Sequence, residues 1–186
     1  MKRLLKYTLV VVMFIFSVCL VGCDKGSSID KVSKKYNDYF ETSINKAKQV
    51  TLDYSVSDNN VVVYDSLVKA RFSEEGCDVS VSESKLNAKY VLESDENSYS
   101  VTEYNRKDYV NVKFDSQYFR SYELDDNLKL SVKKFYFCDF IGIEDLPINS
   151  VADVTVNNNE GNIDTIVASF ISDSDKDVTI TISFIY

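Results

Sequence analysis

The sequence predicts a β-rich α+β domain in which one long N-terminal amphipathic helix packs on an antiparallel meander. Three observations predict this fold class. Apolar residues recur every three or four positions over residues 29–48, they alternate with polar residues from about residue 51, and polar turn residues separate the alternating runs at short intervals. A helical period followed by a strand period is typical of a helix packed on one face of an antiparallel sheet.

The helix is predicted from its apolar face and its start signal. Ser27 is the predicted N-cap, Asp30 forms a shortened capping box with it, and the helix is expected to end near Lys48. The residues that share the apolar face are Ile29, Val32, Tyr36, Tyr39, Phe40, Ile44 and Ala47. A stripe this rich in aromatic residues indicates packing on a sheet, with a partner-binding surface as the alternative.

The strands are predicted from alternation. The clearest strand is the last, in which Val178, Ile180, Ile182 and Phe184 alternate with polar residues. Earlier strands are predicted at residues 62–72, 77–82, 90–93, 98–104, 109–115, 118–124 and 128–137. The polar runs 157–162 and 172–176 are predicted to be the last two hairpin turns.

The N-terminus carries a separate pattern. Lys2, Arg3 and Lys6 precede an apolar run over residues 7–20, which is shorter than the roughly 20 residues that a membrane-spanning helix needs. The run ends in Leu20-Val21-Gly22-Cys23. This order resembles a bacterial lipoprotein signal peptide with its lipobox.

The lipobox resemblance implies how the chain is processed. Residues 1–22 would be removed as a signal peptide and Cys23 would carry lipid, with an uncleaved anchor as the alternative. Residues 23–28 would then form a lipidated tether, and residues 29–186 a single domain held at the extracytoplasmic face of the cell membrane. Two or three acyl chains are enough for stable anchoring.

Composition narrows the functional classes. Residues 1–22 hold three of the 21 basic residues and none of the 29 acidic ones, so the rest of the chain is strongly acidic. An acidic surface repels nucleic acid and keeps an extracytoplasmic domain soluble. The chain has no His, which removes the commonest general base and metal ligand together with every Ser-His or Cys-His nucleophile. We therefore expect no enzyme, no catalytic residue and no cofactor.

One acidic run partly matches the start of a calcium-binding loop. Asp173, Asp175 and Asp177 alternate as carboxylates do at the start of a calcium-binding loop. That loop also needs Gly at its sixth position and Glu at its twelfth, where this chain has Val178 and Phe184. No metal site is predicted.

Two cysteines remain after the signal peptide and the lipidated residue are set aside. Cys77 and Cys138 lie in predicted strands, and an extracytoplasmic location allows a disulfide. A bridge would close a loop of about 60 residues and contribute about 4 kcal/mol. Two buried free thiols are the alternative.

One apolar segment, residues 139–150, has no regular period and contains the only proline, Pro147. It is predicted either to tuck under the sheet or to lie across the mouth of a cavity as a ligand lid. The residues that would form the lid are Phe140, Ile141, Ile143, Leu146 and Ile148.

The order of lipobox, tether, helix and meander is similar to that of LolA-like lipoprotein carriers. The meander ends in Val154-Thr155-Val156, Gly161-Asn162-Ile163-Asp164 and Val178-Thr179-Ile180-Thr181-Ile182-Ser183. The resemblance implies a strongly curved sheet that forms a half-barrel, whose concave, apolar side is closed by helices and holds acyl chains.

The sequence favours one function and leaves a second open. One predicted strand is apolar on both faces, with Ile163, Val167 and Ile171 on one side and Ile166, Ala168 and Phe170 on the other. The second face needs a cover, so we expect a non-enzymatic lipoprotein that binds a hydrophobic ligand or an envelope component in the concave face of its sheet.

The alternative is a structural or protein-interaction lipoprotein with a self-packed core and no ligand cavity. Such a protein would recognise its partner through exposed tyrosines, because tyrosine gives a large contact area at a low entropy cost. The candidates are Tyr99, Tyr104, Tyr109, Tyr118 and Tyr122.

Overall fold

The computed structural model describes residues 28–86 and 92–186, so the predicted signal peptide, Cys23 and the Ser27 cap lie outside the described residues. Within these ranges the chain forms two helices and nine strands. The helices are α1, residues 28–46, and α2, Phe137–Ile141. The strands are β1 Gln49–Asp58, β2 Val61–Phe72, β3 Cys77–Leu86, β4 Leu92–Val101, β5 Phe119–Leu124, β6 Leu128–Val132, β7 Ala152–Asn159, β8 Asn162–Ile171 and β9 Asp177–Ile185.

All nine strands belong to one antiparallel sheet in the order β4-β3-β2-β1-β9-β8-β7-β6-β5. The chain makes one meander from β1 to β4 and a second from β5 to β9, and the last strand returns beside the first. The predicted antiparallel sheet is therefore confirmed. In the described part of the chain the sheet is open, with β4 and β5 as its edges.

Three parts of the strand prediction were wrong. The predicted strands 90–93 and 98–104 form one strand in the described residues, β4, because β3 pairs with it without interruption. Residues 109–115 are not a strand: the side chain of Asn37 on α1 donates to the carbonyl oxygen of Phe114 at 2.7 Å and accepts from its N–H at 2.9 Å, so an amide takes the place of a strand partner. The predicted strand 128–137 ends at Val132, and a 3₁₀ turn and α2 follow. Phe137, Phe140 and Ile141 of α2 pack in the core, whereas Phe135 in the 3₁₀ turn is exposed.

The core lies on one face of the sheet, which we call the core face. It holds the alternate side chains of β6 to β9, such as Val154, Ile166 and Ile182, all buried. Helix α1 crosses this face and packs edge-to-face through Phe40 on Phe184 at 6.1 Å. Residues 105–118 lie beside α1, where Phe114 contacts Tyr36 of the helix and Phe140 of α2.

The end of α1 is tied to the rest of the domain by Arg106. One guanidinium nitrogen, Nη1, donates to the carbonyl oxygens of Ile44, Asn45 and Ala47 at 2.9, 3.0 and 2.6 Å. These are carbonyls at the helix C-terminus, where a positive charge also favours the helix dipole. The guanidinium lies 4.5 Å from the ring centroid of Phe72, so the same side chain fastens α1 to β2.

Two side chains form hydrogen bonds with the backbone at a register shift between β7 and β8. Asn158 pairs with Ile163 and Asn157 with Thr165, so one extra residue enters β8. The N–H of Ile163 donates to the buried hydroxyl of Ser43 at 2.6 Å, and its carbonyl accepts from Tyr186 at 2.6 Å. Side chains thereby satisfy both backbone groups of Ile163 at the bulge.

Candidate functional site

The elements that pack on the core face bury it over β6 to β9 but leave much of it accessible from β1 onward. Val50 is buried, but Leu52, Tyr54 and Val56, which follow it on the same face, are only half-buried. Their partners on β9 are fully buried, so the difference arises on the side of β1 that faces β2. The core face of β1 to β3 is consequently open beyond the first residues of β1.

This open region contains a cleft of about 310 Å³, which lies between β1, β2 and the turns around residues 147 and 172–176. We call it the β1–β2 cleft. Ligand pockets in proteins start at roughly this volume. Its lining consists of Tyr54, Val56, Val63, Tyr64, Lys85, Leu86, Pro147, Ser172, Ser174, Lys176 and Val178.

The floor of the cleft is aromatic and apolar. The rings of Tyr54 and Tyr64 meet edge-to-face with centroids 6.0 Å apart, and Val56 is paired with Tyr64 across β1 and β2. Burial raises the pKa of Tyr54, and the neighbouring Tyr64 raises it further. The phenol of Tyr54 is therefore neutral at physiological pH, and both tyrosines offer hydroxyl groups beside an apolar surface.

The rim of the cleft is polar and carries two cations. Lys85 and Lys176 contribute to the lining, and the ammonium of Lys176 lies 3.9 Å from a carboxylate oxygen of Asp58. Ser172 and Ser174 complete the rim with hydroxyls 3.1 Å apart. An apolar floor with a polar rim suits an amphipathic molecule, since each part of the ligand meets matching chemistry.

The five predicted lid residues belong to the segment that packs under the sheet. Phe140, Ile141 and Ile148 are buried, while Ile143 and Leu146 are half-buried against the core. Their neighbour Pro147 is the residue of this segment that lines the β1–β2 cleft. The segment thus borders the cleft at one point, and a lid function of the five side chains stays a prediction.

Gly142 sets the direction in which this segment leaves α2. It has a φ of 72° as the C-cap, and its N–H donates to the carbonyl oxygen of Cys138 at 2.9 Å. A Cβ atom here would lie 2.2 Å from the carbonyl oxygen of Asn111, so only glycine fits. Ile143, the next residue, lines a separate small pocket together with Leu52 of β1.

Cys77 and Cys138, for which a bridge and free thiols were both predicted alternatives, are free. Cys77 is buried in β3, where burial raises the pKa of its thiol and Tyr109 is its hydrogen-bond partner. Cys138 lies in α2, which packs on the other half of the sheet through Phe137 and Phe170. The structure does not bring the two thiols together.

The prediction of five exposed tyrosines was wrong for four of them. Only Tyr99 is exposed, at 53% of its full surface. Tyr104 stacks on Phe72 and donates to the carbonyl oxygen of Ser73 at 3.1 Å, and Tyr118 stacks on Tyr136. The remaining two, Tyr109 and Tyr122, also pack against the core. In each case the ring packs on apolar surface, as is common for this amphipathic side chain.

The strand that was predicted to be apolar on both faces, now β8, is apolar mainly on its core face. The register shift in β7–β8 turns Ile163 to the core face together with Ile166, Ala168 and Phe170, and all four are buried. On the outer face only Val167 and Ile171 remain, and Ile171 is exposed. Strand β8 therefore needs no second cover, and the uncovered apolar surface lies on β1 and β2 instead.

Two other surface grooves are polar. One of about 300 Å³ lies on the outer face of β1–β4 and is lined by Lys69, Arg71, Asp78 and several serines. The other, of about 470 Å³, lies beside α1 and is lined mainly by charged and polar side chains. The β1–β2 cleft is the better match for a hydrophobic ligand because aromatic and aliphatic side chains form its floor.

Sequence reasoning missed the residues of this cleft. Alternation placed Tyr64 on the buried face of its strand, but nothing in the sequence showed that the cover would end before it. Lys85, Pro147 and Lys176 are far apart in the chain, and only the return of β9 beside β1 brings them together.

The described residues contain no group of three or more His, Cys, Asp or Glu side chains arranged to hold a metal ion. Neither helix in residues 28–86 and 92–186 is long and apolar enough to cross a membrane. No protein-family model matches the chain, and no curated protein matches it.

Proposed function

We propose that this chain is a membrane-anchored extracytoplasmic lipoprotein that binds a hydrophobic ligand in the β1–β2 cleft and catalyses no reaction. Cys23 would carry the anchor, and α1 with the open sheet would form the curved half-barrel expected from the LolA-like resemblance. The ligand class that fits the cleft is an amphipathic molecule with an acyl chain and a polar head. The acyl part would lie on Tyr54, Val56 and Tyr64, with the head between Lys85 and Lys176.

One observation carries this proposal. Apolar and aromatic side chains on the core face of β1 and β2 remain half-exposed, although the same face is completely covered over β6 to β9. Burying such surface contributes about 25 cal/mol per Å² removed from water, so a hydrophobic ligand gains free energy by covering it. The absence of His from the chain further favours capture over catalysis.

Photo-crosslinking in cells tests the binding site. Cells that produce the full chain are fed palmitate with a diazirine at the end of its acyl chain, and light-dependent adducts are mapped by mass spectrometry. We expect adducts on the peptides that hold Tyr54, Tyr64 and Pro147. Labelling that avoids all three peptides would refute the proposed site.

A pair of valine variants provides the matched control. Val56→Trp fills the cleft without changing charge, and we expect it to lower labelling of the cleft peptides by at least about tenfold. Val61 is 53% exposed and does not line the cleft, so Val61→Trp should leave the labelling unchanged. Equal labelling of both variants would mean that the probe reports general surface hydrophobicity.

The anchor is tested separately. An acyl mass on Cys23 that does not depend on light, together with loss of residues 1–22, is the expected processing product. Cys23→Ala should then leave the membrane fraction or retain the signal peptide. A Cys23→Ala chain that is processed and fractionates like the parent would refute lipid anchoring while leaving the cleft experiment interpretable.

The burial of Phe140, Ile141 and Ile148 favours a second candidate, the interaction lipoprotein with a self-packed core. In that case the uncovered face of β1 to β3 would be covered by a protein partner. The two candidates differ in the crosslinking experiment, because only the ligand-binding protein yields palmitate adducts that Val56→Trp abolishes.

A further inference from the structure

Strand β4 is an exposed edge of the open sheet. It runs for ten residues, pairs with β3 along its whole length without a register shift, and has nine residues exposed. Within the described residues no strand lies on its other side. Its outward backbone N–H and C=O groups therefore form a regular row that is ready to pair with another chain.

The opposite edge of the sheet differs. Strand β5 has six residues, and a register irregularity between Phe119 and Ser121 interrupts its pairing with β6. Short length and irregular pairing are features that block the addition of a strand. Strand β4 has neither feature, nor does it contain proline.

Charge identifies the partner that fits β4. The strand carries Glu93, Asp95 and Glu96 and no basic residue. A second copy of β4 would bring three more carboxylates and no cation beside this strand, which is unfavourable across a strand pair. An extended basic segment would instead place Lys or Arg next to the carboxylates.

Tyr99 adds a contact that does not depend on charge. It lies on the same face of β4 as Asp95, four residues further along the strand, and its neighbour on β3 is the buried Val79. A strand added beside β4 would cover part of the Tyr99 ring, which is 53% exposed. Tyrosine in this position is a favourable interface residue because it buries a large area with few rotatable bonds.

We propose that β4 is a docking edge that binds an extended basic segment of another protein as a tenth strand. Backbone hydrogen bonds supply the affinity of such strand addition, and side chains at alternate positions supply the selectivity. The selected segment carries Lys or Arg at alternate positions opposite Glu93 and Asp95, and an apolar residue opposite Tyr99. This docking does not involve the β1–β2 cleft.

The probe that tests this is a fluorescent ten-residue peptide with valine at position 3, lysine at positions 7 and 9 and threonine elsewhere, so that antiparallel addition places valine opposite Tyr99 and the lysines opposite Asp95 and Glu93. Two further versions carry N-methyl groups, one on every odd position and the other on every even position. Methylation removes N–H donors from one edge of the extended peptide and leaves its side chains and charge unchanged. Binding to the full chain is measured by fluorescence anisotropy.

We expect the unmodified peptide to bind, one methylated version to bind similarly, and the other to lose at least about tenfold in affinity. An extended peptide presents only one edge to β4, so only one set of N–H groups is needed. Equal affinity of both methylated versions would show electrostatic attraction without strand pairing and would overturn the proposal. Absence of binding by the unmodified peptide would overturn it as well.

Charge variants locate the binding edge. Replacing Asp95 and Glu96 together by Lys should weaken binding of the unmodified peptide by at least about tenfold. The matched control replaces Asp126 and Glu160 by Lys, which changes the net charge equally at exposed turn positions of β5–β6 and β7–β8. The control should bind like the parent, and equal weakening by both pairs would contradict docking at β4.

Discussion

Replacement by alanine is expected to change stability in opposite directions at two serines of α1. Ser43 is fully buried: its hydroxyl accepts from the N–H of Ile163 at 2.6 Å and donates to the carbonyl oxygen of Tyr39 at 2.8 Å. Ser33 is also buried, but within the described residues its hydroxyl oxygen has no hydrogen-bond partner. The two positions separate the contribution of the hydrogen bond from the effect of burying a hydroxyl.

Ser43→Ala leaves the buried N–H of Ile163 without a partner, which costs about 1–3 kcal/mol. Alanine recovers about 0.5 kcal/mol through its higher helix propensity. We therefore expect the free energy of unfolding to fall by about 0.5–2.5 kcal/mol. Ser33→Ala removes an unsatisfied hydroxyl and gains the same propensity, so it should raise stability by about 0.5 kcal/mol or more.

Urea unfolding of the two variants and the parent measures these differences. The midpoints should move in opposite directions while the slope stays constant, because the surface exposed on unfolding hardly changes. A Ser33→Ala variant that loses as much stability as Ser43→Ala would refute the reasoning. In that case, tight packing around the helix rather than the hydrogen bond to Ile163 would explain the cost.

Three further substitutions test other contacts. Arg106→Lys should lower stability by about 1–3 kcal/mol, measured by urea unfolding, because an ammonium cannot serve three carbonyl oxygens of α1 and stack on Phe72 at once; an unchanged midpoint would contradict this role. The pKa of Asp53 is raised, first by burial and then by the charge of Asp65 and a hydrogen bond to it. The carboxyl group of Asp53 therefore binds its proton more tightly in the native state than in the unfolded chain. The stability that Asp53 contributes is therefore greatest below its ordinary pKa and falls as pH rises through the raised value, and Asp53→Asn should flatten the pH dependence of unfolding in that range. Burial and the hydrogen bond with Cys77 raise the pKa of Tyr109 to about 12, so stability should be lost as pH rises from the ordinary tyrosine pKa through that value; Tyr109→Phe should remove the late step from an ultraviolet titration, and a titration unchanged by this substitution would contradict the assignment.

The regular half of the fold was predictable because its signals are local. In β9 every second residue from Val178 to Phe184 is buried, as its alternation predicts. The turns at 157–162 and 172–176 contain residues with positive φ, such as Glu160, Gly161 and Asp175, and the sequence supplies them as polar and glycine-containing runs. Strongly periodic strands and their turns need no tertiary information to be recognised.

The covering segments were not predictable in the same way. Residues 109–115 alternate like a strand, yet Asn37 on α1 satisfies the backbone of Phe114 from 77 positions earlier in the chain. The bulge at Asp164 likewise moved Ile163 to the core face, which alternation alone placed opposite Ile166. Both errors arise from contacts between distant residues, which a local period does not report.

The β1–β2 cleft depends entirely on contacts between residues that are distant in the chain. Tyr54 and Tyr64 belong to a hairpin that the sequence suggests, but the cleft exists because the cover of the core face ends at β1. Residues 142–148 leave α2 at Gly142, where the positive φ sets their direction, and border the cleft at Pro147. The sequence indicated an irregular apolar segment here without showing which surface it would leave open.

Native mass spectrometry of the full chain, released gently from the membranes of the cells that make it, tests the central claim most directly. The account predicts a one-to-one complex with an amphipathic molecule of lipid mass, which persists in Val61→Trp and is absent from Val56→Trp. A parent protein that carries no such mass beyond its covalent modifications, or a Val56→Trp variant that retains it, would contradict ligand capture in the β1–β2 cleft.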